Sequence, residues 1–107
     1  MHRIRIRLSK LEMLRYISHR DLMRLVERAA RRASLPLALT AGFKPHPKMS
    51  FGRALPVGKT SRSIQVDVFL IEHLNLKLLL ERLNKKLPEE VQVLEANEIG
   101  LENPPPD

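Results

Sequence analysis

From Arg3 to Leu8 the chain reads Arg-Ile-Arg-Ile-Arg-Leu, a strict alternation of cationic and apolar side chains. A period of two is the signature of a half-buried strand. Ile4, Ile6 and Leu8 then face a core, while Arg3, Arg5 and Arg7 line the other face, each ~7 Å from the next along the strand. Three guanidinium groups in a row repel one another. They are tolerated when solvated, and useful when an anion runs along them. A second alternation, Ile64, Val66, Val68 and Leu70 between Gln65, Asp67 and Phe69, predicts a second strand.

The clearest helix lies between these strands. Ser18-His19-Arg20-Asp21 is a start of the capping-box type, with Asp in the Glu/Gln position. Leu22, Leu25, Val26, Ala29 and Ala33 follow at helical spacing on one face. Arg20, Arg24 and Arg28 recur every four residues on another, and Arg31 and Arg32 extend it. Glu27, four residues before Arg31, gives some local neutralisation. Ser34-Leu35-Pro36 stops the helix. Asn75 caps a second helix with Leu76, Leu79, Leu80, Leu83 and Leu87 on one face and Leu78 off it. Pro88 closes that helix.

Shorter apolar stretches complete the pattern. Leu35 to Thr40 suits a short buried strand or strand end; Met49 to Leu55 and Val91 to Leu94 read as strands. Ser9 to Ile17 and Pro56 to Ser63 read as connectors. Gly58-Lys59-Thr60 in the second connector is not a phosphate loop, because position 53 is Arg where that motif needs Gly and no helix follows. The order strand, helix, strand, strand, helix, strand predicts an α+β fold of the ferredoxin-like split β-α-β type (βαββαβ). Its antiparallel sheet carries two helices on one face. The strand beginning at Arg3 is central, beside the one beginning at Ile64. The uncovered face then carries Arg3, Arg5, Arg7, Gln65, Asp67, Phe69 and Gln92. Residues 1–99 are expected to form one domain, and 100–107 an extended Pro-rich tail with no core to join.

Charge narrows the function classes. The 107 residues carry a net +7, unevenly spread. Residues 1–60 hold 14 Lys/Arg against 3 Asp/Glu, and residues 61–107 hold 5 against 9. A front half this basic favours a polyanionic partner such as RNA. Ten of its 14 cations are Arg, whose planar fork suits phosphate. The expectation is one continuous cationic wall built by the first sixty residues. Cys is absent, which excludes a disulfide framework, a Cys-ligated zinc and a Cys-held iron–sulfur cluster within this polypeptide. No signal peptide and no apolar run of ~18 residues is visible, so the expected location is the cytoplasm, without membrane contact.

Ala41 to Phe51 reads Ala-Gly-Phe-Lys-Pro-His-Pro-Lys-Met-Ser-Phe. Each Pro fixes its own φ and holds the residue before it extended, here Lys44 and His46. Gly42 supplies a backbone angle that other residues avoid. A stiff, polar presentation loop results.

Three chemistries are open to this chain. One is RNA binding through the open sheet face, as in RNA-recognition modules of this topology. Only Phe69 could stack a base there, so binding should lean on phosphates and depend strongly on salt. The helix arginines and Lys44 and Lys48 offer a second surface. Another is metal-independent RNA cleavage with His19 or His46 as general base and Asp21, Tyr16, Lys44 or Lys48 as helpers. The last is metal binding. His19, Asp21 and His46 could converge, but no close ligand spacing announces a site, so neither a metal nor a cofactor is expected. His2 and His73 have no companion groups nearby and are expected to carry no function.

The blocks Leu14-Arg15-Tyr16-Ile17-Ser18-His19-Arg20-Asp21-Leu22-Met23-Arg24, Arg31-Arg32-Ala33-Ser34-Leu35-Pro36-Leu37, Gly42-Phe43-Lys44-Pro45-His46-Pro47-Lys48-Met49-Ser50-Phe51 and Leu55-Pro56-Val57-Gly58 together resemble the bacterial radical-SAM-associated domain of unknown function DUF2344. The similarity runs from about Arg3 to about Ile99. It implies a role beside a radical SAM protein and singles out Ser18, His19, Asp21, Gly42, Phe43, Pro45, His46, Pro47 and Lys48. Arg20 stands where Leu is usual and Lys44 where Asn is usual, which makes this copy more basic. Members usually continue further, so the chain is expected to be a shortened member or an excised part. The expected function is a non-catalytic accessory module that binds RNA or presents a substrate to a partner enzyme. Arg3, Arg5, Arg7, Arg20, Arg24, Arg28, Lys44 and Lys48 would be its nucleic-acid contacts. The alternatives are a small endoribonuclease and a protein-docking adaptor.

Overall fold

The computed structural model describes residues 1–11, 18–57 and 61–106. The chain runs β1 (His2–Leu11), α1 (His19–Arg32), β2 (Met49–Val57), β3 (Ser61–Leu70), α2 (Leu76–Lys86) and β4 (Val91–Ile99). The strands form one antiparallel sheet in the order β2-β3-β1-β4, a ferredoxin-like α+β arrangement. The two alternating stretches are the central pair, with Arg3 opposite Phe69, Arg5 opposite Asp67 and Arg7 opposite Gln65.

Alternation decides which face is covered. Ile4, Ile6 and Leu8 of β1, Ile64, Val66, Val68 and Leu70 of β3, and Val91 and Val93 of β4 are buried with Leu22, Val26, Ala29 and Ala30 of α1 and Leu79 and Leu83 of α2. Each buried Leu, Ile or Val contributes roughly 1.5–3 kcal/mol. Leu25, Leu76 and Leu80 are partly buried against this core, and Leu78 stays exposed, off the apolar stripe.

The helix ends follow local chemistry. Ser18 Oγ accepts from the Asp21 N–H at 3.0 Å, capping α1. At the other end Ser34 takes φ 55°. Its N–H donates to Arg31 O at 3.1 Å, and the Leu35 N–H donates to Ala30 O at 3.4 Å. This pair of bonds is a Schellman motif with Ser where Gly is usual. Asn75 Oδ1 caps α2 through the Leu78 N–H at 3.1 Å. Asn84 ties α2 to the edge strand, accepting from Val93 N at 2.7 Å and donating to Val93 O at 3.1 Å.

Several element limits differ from the sequence reading. β1 runs on through Ser9 to Leu11, paired with Ser63 to Ser61, where a connector was expected. β2 continues through Pro56 and Val57; β2 is an edge strand, so a Pro there removes no inner ladder bond. The Leu35–Thr40 stretch makes two isolated bridges, Leu37 to Leu70 and Leu39 to Pro47. β4 extends five residues beyond Leu94. Arg7 pairs with Glu95 while Leu8 pairs with Val93, leaving Leu94 as a bulge. The bulge shifts the alternation by one. Glu95 and Asn97 therefore join the open face, and Ala96 and Glu98 lie on the helix side.

The tail also departs from expectation. The carbonyls of Leu101, Asn103 and Pro104 lie against the open sheet face and accept hydrogen bonds from Arg3 and, at Pro104, also from Arg5, and Pro106 is buried. No helix among the described residues is long and apolar enough to cross a membrane.

Candidate nucleic-acid interface

The open sheet face carries Arg3, Arg5 and Arg7 as expected, but their charges are turned inward. Asp67 is 0% exposed. A buried carboxylate must be paired and hydrogen-bonded to persist as a charge. Its Oδ2 accepts from Arg3 Nε at 2.7 Å and its Oδ1 from Arg5 Nε at 2.8 Å. The remaining Arg3 donors reach Leu101 O at 3.1 Å, Asn103 O at 2.6 Å and Pro104 O at 2.8 Å. Arg5 Nη2 also reaches Pro104 O at 2.7 Å. Arg7 Nε donates to Glu95 Oε1 at 3.1 Å, a pairing the Leu94 bulge makes possible. Phe69, the one aromatic of this face, lies 4.9 Å from Lys48 Nζ and 5.6 Å from Arg3 Cζ, measured to the ring centroid. Lys48 therefore belongs to this face.

The arginines of α1 behave differently. Arg20, Arg24, Arg28, Arg31 and Arg32 are all exposed. Among the described residues their only ion pair is Arg24 Nη1 to Asp21 Oδ1, at 4.0 Å; Glu27 does not pair with Arg31. α1 packs on the covered side of the sheet, so its stripe lies across the sheet from Arg3, Arg5 and Arg7. The single continuous wall is thus corrected to two separate basic surfaces. On one the guanidinium donors are largely engaged by Asp67, Glu95 and backbone carbonyls, and the other is open.

The stiff loop borders the open surface. The Thr40 N–H donates to His46 O at 2.8 Å, and the His46 N–H donates to Thr40 Oγ1 at 3.2 Å, closing the loop at its base. Pro47 is buried, and the Lys48 N–H donates to Ala38 O at 2.8 Å. Gly42 takes φ +124°, a conformation L side chains rarely adopt. Held this way, residues 41–46 are all exposed, Phe43 at 97%. Ser18, Gly42 and Pro47 thus have clear structural duties. Phe43 has none, because its ring touches little of its own chain.

His19 and His46 meet across a groove of about 650 Å³, lined also by Arg20, Met23, Arg24 and Glu27. The His19 ring stands edge-on to Phe51 with centroids 5.8 Å apart. His46 Nδ1 lies 3.2 Å from Pro47 O. Asp21 does not line this groove; it sits at the helix cap beside Arg24. Two imidazoles and two guanidinium groups around one opening suit a phosphodiester. Lys44 is exposed on the loop, and Tyr16 falls outside the described residues. Met23 and Glu27 were missed as lining groups, although both share a turn with Arg20 or Arg24.

His2 and His73, without companions in the sequence, do have them in space. His2 Nδ1 lies 3.0 Å from Glu98 Oε2, and the two imidazole centroids are 5.8 Å apart. No sequence signal short of the sheet register reveals this, since the β1–β3 pairing of His2 with Leu70 brings position 73 close.

A protein-family model, DUF2344, described as "uncharacterized protein conserved in bacteria", matches residues 3–106, nearly the whole chain. No curated protein and no solved structure matches.

Proposed function

The chain belongs to the DUF2344 family, and on that premise we propose that it is a cytoplasmic, non-catalytic accessory module. It holds RNA on the exposed face of α1 for a partner enzyme of the radical SAM class. The supporting observation is the row of five exposed arginines on α1, four of them without an ion pair among the described residues. Arg20, Arg24 and Arg28 stand at steps of ~6 Å along the helix axis. Guanidinium forks in that spacing track a phosphate backbone. The Phe43 ring on the adjoining loop offers a stacking platform for an unpaired base, which is how single-stranded RNA segments are gripped. The partner supplies the radical chemistry, because this polypeptide contains no Cys to hold a cluster. A filter-binding titration against structured RNA at two salt concentrations tests the reading. Binding at low salt that falls steeply as salt rises is expected. Negligible affinity at low salt, or indifference to salt, rejects it.

One observation favours a second reading. His19 and His46 share a groove with Arg20 and Arg24, an arrangement in which one imidazole takes a ribose proton and the other donates to the leaving oxygen. Incubating the pure protein with RNA in chelator separates the two readings. Cleavage that disappears in His46→Ala supports the nuclease; intact RNA removes it.

A further inference from the structure

We propose that His2, His73 and Glu98 form a binding site for one divalent transition-metal ion, Zn2+ being the best fit. The site is independent of the α1 surface and its histidine groove. It draws its ligands from three places that the fold brings to one end of the sheet. His2 opens β1, Glu98 is near the end of β4, and His73 sits in the five-residue link between β3 and α2. The register explains the convergence. Glu98 pairs with Ile4, so it is a same-face diagonal neighbour of His2. Leu70 pairs with His2, and His73 follows three residues later. The Leu94 bulge is required: without it Glu98 would fall on the opposite face.

The donor atoms are already close to coordinating distance. One ligand atom from each residue can be chosen such that all three lie within 4.8 Å of one another. Ligand atoms ~2.0–2.1 Å from a tetrahedral zinc are ~3.3 Å apart. His2 Nδ1 and Glu98 Oε2, at 3.0 Å, are near that spacing without adjustment. His73 is exposed on its link and makes no hydrogen bond among the described residues, so no bond has to break for its ring to turn toward the other two ligands. Two imidazoles and one carboxylate select zinc, nickel or copper. Calcium and magnesium prefer all-oxygen shells. Three protein ligands leave a fourth position for water or an external donor. The chelate would join β1, β4 and the β3–α2 link.

The test is an isothermal titration of the tag-free full chain with Zn2+ alone. Co2+ serves as a spectroscopic probe of coordination geometry. One equivalent bound with submicromolar affinity, and a tetrahedral Co2+ spectrum, are expected. His73→Ala and Glu98→Gln should each weaken Zn2+ binding at least ~10-fold; both change exposed side chains, and circular dichroism checks that they remain folded. His19→Ala with His46→Ala should leave the affinity unchanged. Three results would overturn the site: no tight Zn2+ binding by the wild type, undiminished binding in His73→Ala, or loss of binding only in the His19/His46 variant. None of them bears on RNA affinity.

Discussion

Arg3 Nε donates to Asp67 Oδ2 at 2.7 Å, the guanidinium being 5% exposed and the carboxylate 0%. This pair sets the character of the open sheet face. A buried carboxylate on the second central strand attracts two of the three β1 arginines, and the carbonyls of Leu101, Asn103 and Pro104 accept from further donors of the same pair. What reads in sequence as a binding stripe is largely a structural clamp. Asp67→Asn should therefore leave buried guanidinium charge without its counter-ion and destabilise the fold by about 3–5 kcal/mol. Arg7→Gln, which breaks a solvent-exposed pair with Glu95, should cost no more than about 1 kcal/mol. Urea unfolding of the two variants checks both values.

Ser34 occupies a left-handed position at the end of α1 with φ 55°. That backbone angle costs a non-glycine residue about 1–2 kcal/mol, partly offset by the smaller chain entropy of unfolded Ser relative to Gly. Ser34→Gly should stabilise the protein by about 0.5–1 kcal/mol and raise the thermal midpoint. An unchanged or lower midpoint would contradict the Schellman reading of this helix end.

Phe43 is 97% exposed at the tip of a loop whose base is closed by the Thr40–His46 backbone bond. Phe43→Ala should leave the unfolding midpoint where it is. It should weaken binding to an RNA with an unpaired loop by about 1–3 kcal/mol, the range for one base–aromatic stack. Fluorescence anisotropy with a hairpin and a fully paired duplex separates stacking from charge, since only the hairpin should respond.

Much of the architecture was legible because it is local. The alternations around Ile4–Leu8 and Ile64–Leu70 fixed the two central strands. Ser18 and Asn75 marked the helix starts, and Gly42 has the positive φ that its loop demanded. Three features were hidden for physical reasons. The Leu94 bulge breaks the period of two, so the second half of β4 looked like loop. The tail is held by its own carbonyls, which no side-chain pattern encodes. His2, His73 and Glu98 are brought together by strand register alone. At the interface, Asp67 was placed on the same face as Arg3 and Arg5, and the antiparallel register sets it opposite Arg5. A lone carboxylate among those cations was the available sign that part of the stripe would be drawn into an internal pair.

The most direct measurement compares RNA affinity across two salt concentrations for the wild type, Arg24→Glu with Arg28→Glu, and Arg7→Gln. If α1 is the binding surface, the double reversal lowers affinity at low salt at least ~10-fold and flattens the salt slope by about one unit for each phosphate that is no longer neutralised. Arg7→Gln then leaves both unchanged. Equal affinity for the double variant and the wild type, or weakening confined to Arg7→Gln, would contradict it and return the binding function to the sheet face.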